Sequence, residues 1–535
     1  MRLWPLFIVF TSYVVRAQDR ETFSERLSLE PFRDGKLLAQ FEFTTVLDDV
    51  PRHPDTLDVE DAPQHYTVVP LALGQVLREY SVTELHLSLN AGKWNYKSWG
   101  APVVPSVASG AELWAWMGHT QNDTTEIVDK RWHMLTNALA GLFCASLGSM
   151  DARRTATPKI AFRPEGDLPE DYPHSLRYSS LPSESVCTEN LTPFVKLLPC
   201  KAHTGIASLL NPHKLFDADW HGMSITVRWL ENVGVEIRLG FGAVLDPVRL
   251  SGDDMRRNWS FRSLFDKPLH RSCLVASKSK VTVGMGPTTG ASVLSPTEHR
   301  LQKVGDTRSL AVYDVTHNAD EFDLTQQWVD EQSFTYVPTP DELPISVRRV
   351  LTGAEQTHGG LLLSITNRGD TVHTTAWLET MPWFIQFFLH TLELRVDGQK
   401  RDDLLQHLSF TPPRDDLRHS SVLEAVLSVP PHSTLHASMS FRKAFILYTE
   451  HPPDAHRGWD LPAAVLTPIC TNVSTPSDSC GARMYTSTLL VDLATPDFSM
   501  PYNVIIMSST VVALFFGSIF NLLTRKFVVA RVDKT

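Results

Sequence analysis

Along most of this chain hydrophobic residues alternate with polar ones, and a period of two is the signature of strands that bury one face. Residues 38–47 read as a strand with Phe41, Phe43, Thr45 and Leu47 on one side. After a predicted helix over 71–80, Leu85, Leu87 and Leu89 alternate with Glu84, His86 and Ser88, so His86 is expected on a polar strand face. An aromatic loop over 92–100 leads to a further strand over 112–117. At Thr124 the period changes: Trp132, Leu135, Leu139 and Leu142 recur at helical spacing up to Cys144, which predicts an amphipathic helix packed on those strands. Beyond it the period of two returns. Ile225, Val227 and Trp229, followed by Val233, Val235, Ile237, Leu239 and Phe241, predict a hairpin. Further strands are expected over 280–283, 310–315, 361–365 and 392–396, with Asp397-Gly398 as a turn. Short strands at this spacing imply sandwiches. The stretch 381–389, MPWFIQFFL, is apolar on both sides and too short to cross a bilayer, which leaves a buried strand or a contact surface.

Two stretches break the alternation altogether. Residues 504–523 carry no charge over about twenty mostly apolar positions, the length a helix needs to cross a hydrocarbon core. Arg525, Lys526, Arg531 and Lys534 follow this stretch and Asp492 and Asp497 precede it, so the short tail is expected in the cytosol. Within the span Ser509, Ala513, Gly517 and Asn521 recur every fourth residue and form a stripe along which another helix can approach. At the other end Arg2 precedes an apolar run over 3–15 that closes on Val15-Arg16-Ala17, as a signal peptide does. A basic segment after the C-terminal span favours a retained anchor over a GPI-attachment signal. The expected fold class is therefore mainly β with some helix (α+β): a signal peptide over 1–17, an N-terminal luminal domain of mixed strands and helices over 18–200, a luminal β-sandwich-like region over 201–500, a transmembrane helix over 501–523 and a cytosolic tail over 524–535. This is single-pass type I topology with the bulk of the chain luminal.

Composition narrows the chemistry. Charged residues are 20% and hydrophobic ones 42% of the 535, which is globular material. The net charge of -11 leaves no basic footprint for nucleic acid. The six cysteines, Cys144, Cys187, Cys200, Cys273, Cys470 and Cys480, all precede the span, where disulfides persist, and Cys470 with Cys480 is expected to close a local loop. Sequons at Asn122, Asn190, Asn258 and Asn472 agree with a luminal chain, although Pro193 directly after the Asn190 sequon disfavours transfer there. No Gly-x-Ser-x-Gly elbow, His-Glu-x-x-His pair or phosphate loop occurs, and no cofactor or metal is implied. Three stretches instead point to contact: the polar stretch 186–194 around Cys187, expected as an accessible loop; the turn-rich 448–458; and the membrane approach with Asp497, Ser499 and Asn503.

The words ALGQVL (72–77), ELHLS (84–88), SGAELW (109–114), GLFCAS (141–146), VCTENLTP (186–193), TPDFSMPYNV (495–504) and NLLTR (521–525) occur in this order over nearly the whole chain, which in them resembles the PIG-T family of GPI transamidase subunits. The resemblance implies a complex of the endoplasmic reticulum membrane that removes a C-terminal signal from precursor proteins and attaches a GPI lipid. It also implies a non-catalytic scaffold role beside a PIG-K-like caspase-fold subunit and GPAA1-type, PIG-S and PIG-U subunits. Cys187 matches the family cysteine that is disulfide-linked to the catalytic subunit, and Asp497, Ser499 and Asn503 match positions that contact the GPI lipid. His456 stands where the family has the asparagine of that contact, a departure that an imidazole donor can still satisfy. On the residues alone, an independent luminal thiol hydrolase and a type I cell-surface adhesion receptor remain alternatives.

Overall fold

The computed structural model describes residues 21–48, 68–120, 122–170, 172–231, 233–285, 292–304, 308–317, 320–329, 331–336, 343–353, 355–413, 419–451, 458–469, 481–494 and 499–525. The signal-peptide region, the Cys470 and Cys480 loop, Asn472, His456, Asp497 and the tail beyond 525 lie outside the described residues.

The alternating segments assemble into one large sheet of eleven strands. Its centre is formed by Glu21–Pro31, Leu37–Leu47, Gly234–Leu245, Trp220–Leu230, Val82–Gly92 and Gly110–Gly118, in that spatial order. Neighbours are antiparallel except where Glu21–Pro31 meets Lys278–Met285 in parallel, with Ser24 opposite Lys278. The predicted hairpin is present, with Ile225 opposite Leu239. One face of the sheet carries the expected helices, Leu71–Glu79 and Thr125–Phe143, joined by Thr188–Lys196. Val128, Trp132, Leu135, Leu139 and Phe143 of the long helix are all buried against that face, as a 3.6-residue period requires.

Strands from both sides of residues 200 and 201 share this sheet. A division at that point, expected from pattern, therefore does not separate two sheets. A small sheet of Trp259–Ser260, Thr325–Gln327 and Val293–Ser295 follows, and the two sheets of the C-terminal part begin at Ile345. From there six strands, with His358–Asn367 and Ser433–Lys443 at the centre, pack on five, with Ser421–Val429 and His373–Met381 at the centre. Leu361, Leu363 and Ile365 of one layer share a core with Leu423, Ala425 and Leu427 of the other, which is a β-sandwich. Asp397 and Gly398 both have positive φ, 51° and 79°, as a tight turn between Glu393–Val396 and Gln399–Lys400 demands. The apolar stretch 381–389 is not one strand. Met381 ends a strand of the five-stranded layer and Ile385–Phe387 belongs to the other, so the segment crosses the sandwich edge, and Met381, Phe384 and Ile385 are buried for that reason.

The second face of the large sheet is also covered. Glu84, His86 and Ser88 are 0%, 5% and 4% exposed, so the polar face expected on this strand is internal. Glu84 accepts the backbone N–H groups of Glu165 and Gly166, both at 2.9 Å, and also bonds His86 Nε2 at 2.8 Å. His86 stacks on Trp114 with ring centroids 3.7 Å apart. An aromatic core with Trp94, Trp99, Trp114, Phe162 and Trp220 then continues into Leu378, Val422, Val465 and Tyr485 of the C-terminal sheets. The two parts of the chain are therefore packed together through one shared core.

The last element is the helix Ser499–Thr524, of which Tyr502–Thr524 is long and apolar enough to cross a membrane. None of the window that qualifies it is buried against the rest of the chain. Its hydroxyls turn inward to the backbone: Thr510 Oγ1 donates to Ile506 O at 2.7 Å and Ser518 Oγ to Leu514 O at 2.7 Å. Hydroxyls satisfied in this way can sit in hydrocarbon.

Candidate functional site

Cys187 is built into a helix start. The stretch 186–194, expected as a loop because prolines flank it, folds instead into Thr188–Lys196 with Cys187 as its N-cap and Pro193 inside the helix. The cap is made by Asn190, whose Oδ1 accepts from Cys187 N at 2.6 Å. Asn190 Nδ2 reaches across to the end of the long helix and donates to Phe143 O at 2.9 Å and Cys144 O at 3.1 Å. A side chain that satisfies both helix ends outweighs the break introduced by the proline. The Cys187 side chain is exposed and forms no disulfide bond within the described residues, and the same holds for Cys144. Cys200 and Cys273 are joined to each other, with Cα atoms 5.9 Å apart. Neither free thiol is hydrogen-bonded to a histidine among the described residues, and no described cluster of histidine, cysteine and carboxylates could hold a metal.

The sequons divide. Asn122 is exposed. Asn258 is half-buried, and its Oδ1 accepts from Trp328 N at 2.9 Å. Asn190, at 1% exposure and with its amide nitrogen committed to two carbonyls, has no room for a glycan in this packing.

A cavity of about 530 Å³ opens between the two parts of the chain. Its walls come from Arg153, Arg154 and Pro182 on the large sheet's edge and from Trp383, Phe384 and Trp459 on the sandwich. The Arg154 guanidinium lies 5.3 Å over the Trp459 ring. Burial lowers the pKa of Arg154, and Asp151 opposes that shift. His451 and Gly458, at the two ends of the segment that carries His456, both line this cavity. Trp459–Leu461 pairs with Leu489–Val491, Trp459 opposite Val491. Gly458 has φ +88°, and a Cβ there would stand 2.4 Å from Val491 O, so only glycine permits this approach. The turn-rich segment is thus tied at its end to the strand that runs on toward Ser499, the first residue of the membrane helix. Asn503, in the first turns of that helix, is exposed. Along the span, Ser509, Ala513 and Asn521 are exposed and a Cβ on Gly517 would meet nothing within 4 Å, so none of the described residues outside the helix covers the stripe.

A buried polar network was not visible in the sequence. Glu112 accepts from Ser106 Oγ at 2.7 Å, Tyr485 OH at 2.9 Å and Tyr178 OH at 3.3 Å. Burial raises the Glu112 pKa even against these donors and the Arg483 charge. Arg483 bonds Glu165 at 2.7 Å and lies 4.9 Å from the centroids of both Trp114 and Phe162. Nothing in the local pattern around Arg483 or Tyr485 marks them, because their partners lie more than 300 residues away.

The family model described as "Gpi16 subunit, GPI transamidase component" matches residues 7–252 and 250–535. The mouse GPI-anchor transamidase component PIGT is 33% identical over 95% of this chain and 90% of its own length. The Schizosaccharomyces pombe GPI transamidase component PIG-T homolog is 34% identical over 95% and 90%. The Saccharomyces cerevisiae GPI transamidase component GPI16 is 30% identical over 96% and 90%.

Proposed function

Because the chain belongs to the Gpi16 (PIG-T) family of GPI transamidase components, we propose that within that complex it is a non-catalytic scaffold of the endoplasmic reticulum membrane, single-pass and mostly luminal. The observation that carries this reading is the exposed, unpaired Cys187 at a rigid helix cap, a thiol presented for another chain. Its partner is the PIG-K-like caspase-fold subunit, which supplies the nucleophile that cleaves the precursor's C-terminal signal. The uncovered stripe of Ser509, Ala513, Gly517 and Asn521 offers a second contact, within the membrane, for GPAA1-type, PIG-S or PIG-U subunits. Near the membrane, His456, Asp497, Ser499 and Asn503 share in holding the GPI lipid. Asp497 can pair with the glucosamine ammonium, and the others can bond sugar hydroxyls or phosphate. In support, the segment of His456 is anchored at Gly458 beside the strand that leads to the membrane helix.

The test is to tag the luminal side, solubilise microsomes in mild detergent and compare reducing with non-reducing gels, identifying each band by mass spectrometry. A caspase-like subunit that co-purifies and whose band shifts on reduction is the expected result, and Cys187→Ser removes the shift without unfolding the chain. An unaltered band in that variant overturns the linkage. A chain that purifies alone, with hydrolase activity or at the plasma membrane, would return the thiol hydrolase or receptor reading.

A further inference from the structure

Cys187 is not the only exposed thiol at its site. Cys144 ends the helix Thr125–Phe143 in the left-handed conformation, φ 54° and ψ 42°, and its side chain is also exposed and unpaired. The main chains of both cysteines are held by one buried carboxamide, since Asn190 accepts from Cys187 N and donates to Cys144 O. A second bond ties the same two segments together, with Ser146 N donating to Glu184 Oε1 at 2.7 Å. The two thiols thus stand on neighbouring segments that these bonds hold together. In an oxidising compartment, accessible thiols on adjoining segments can be oxidised to a disulfide.

We propose that Cys144 is the resolving partner of Cys187: before assembly the two form an intrachain disulfide, which an incoming thiol on the catalytic subunit exchanges for the interchain bond. This rests on the linkage proposed above. In the first step a disulfide of a luminal oxidoreductase accepts two electrons and becomes a dithiol, while Cys144 and Cys187 lose their protons and join. In the second, the partner's thiolate attacks Cys187 Sγ, the bond from Cys187 to Cys144 breaks, and Cys144 leaves as a thiolate that takes up a proton. No net oxidation occurs in that exchange. Asn190 keeps the leaving thiol beside the new bond, so the local thiol concentration stays high and mispaired links can be undone.

The experiment uses the full-length chain in microsomes from cells with and without the caspase-like subunit. Thiols are blocked with N-ethylmaleimide at lysis, the protein is digested without reduction, and the cysteine peptides are assigned by mass spectrometry. Without the subunit, the Cys144 peptide is expected joined to the Cys187 peptide. With it, Cys144 carries the maleimide and Cys187 is joined to the partner. Blocked thiols at both positions in cells lacking the subunit, or Cys144 joined to another cysteine, would overturn the proposal. If the intrachain bond is present in both cell types, the pairing stands and the linkage to the catalytic subunit fails. Cys144→Ser, with Cys144→Ala as a second variant, is expected to slow appearance of the linked heterodimer several-fold in pulse-chase, and an unaltered rate in both variants would count against exchange.

Discussion

Asn190 shows how much one side chain can carry. In the sequence only Pro193 argued against glycan transfer to it, yet its carboxamide joins the start of one helix to the end of another and is almost wholly buried. Replacing it with alanine leaves one N–H and two carbonyls short of a partner. With about 1–3 kcal/mol for each buried group left unsatisfied, Asn190→Ala should destabilise the chain by about 2–4 kcal/mol. Thermal unfolding of the detergent-solubilised protein reads this as a lower midpoint. An unshifted midpoint would mean that water replaces the lost partner. His174 offers a test by pH. Burial and the neighbouring His119 lower its pKa from 6.5 to about 4. A base with a depressed folded pKa contributes stability that is present above about pH 6.5 and is lost as pH falls toward 4, because the unfolded chain takes up the proton first. His174→Phe should flatten that part of the stability profile, and an identical slope in the variant would exclude His174 as its source.

Among the elements, those with strong periodicity were legible. The helix over 125–143 and the hairpin of Trp220–Leu230 with Gly234–Leu245 lie where pattern placed them, because each buries a face against a sheet that demands the same period. The helix behind Cys187 was not legible, since Pro193 argued against it and its cap depends on a contact to residues 143 and 144. The strand Val82–Gly92 was read as half exposed although both faces are internal. Its acid and histidine look like surface chemistry until the segment at 165 and 166 is seen to bond them. The long apolar C-terminal helix has the opposite character: its features are all local, and among the described residues nothing outside it covers it. Gly517→Leu should lower co-purification of the other membrane subunits while leaving the luminal fold intact, because a branched side chain prevents close helix approach. Undiminished recovery of those subunits would show that the stripe does not pack.

Taken whole, the molecule is two β assemblies locked by polar groups as much as by apolar ones. Glu424 accepts three consecutive backbone N–H groups, from Lys159, Ile160 and Ala161 at 2.7, 2.9 and 3.0 Å. Thr467 Oγ1 donates to Ala161 O at 2.8 Å, and Tyr485 N donates to Tyr96 OH at 2.8 Å. Arg483 and Tyr485, late in the chain, bond Glu165 and Glu112 of the large-sheet assembly and so help dock the two assemblies. Arg483→Ala would remove its bond to Glu165 and its stacking on Trp114 and Phe162, at a cost of about 1–3 kcal/mol. Hydrogen exchange should then rise in Gly110–Gly118 and Val465–Pro468 together. A rise in neither would show that the apolar core alone holds the interface.

Local information was enough for the mostly β class, the C-terminal helix long and apolar enough to cross a membrane and the family, because period, length and contiguous words are properties of neighbouring residues. Which polar residues are internal, where one sheet ends and the next begins, and that Cys144 and Cys187 share one amide all depended on contacts between distant segments. A carboxylate or an amide has the same appearance in the chain whether it meets water or three backbone N–H groups, and only folding brings those partners to it.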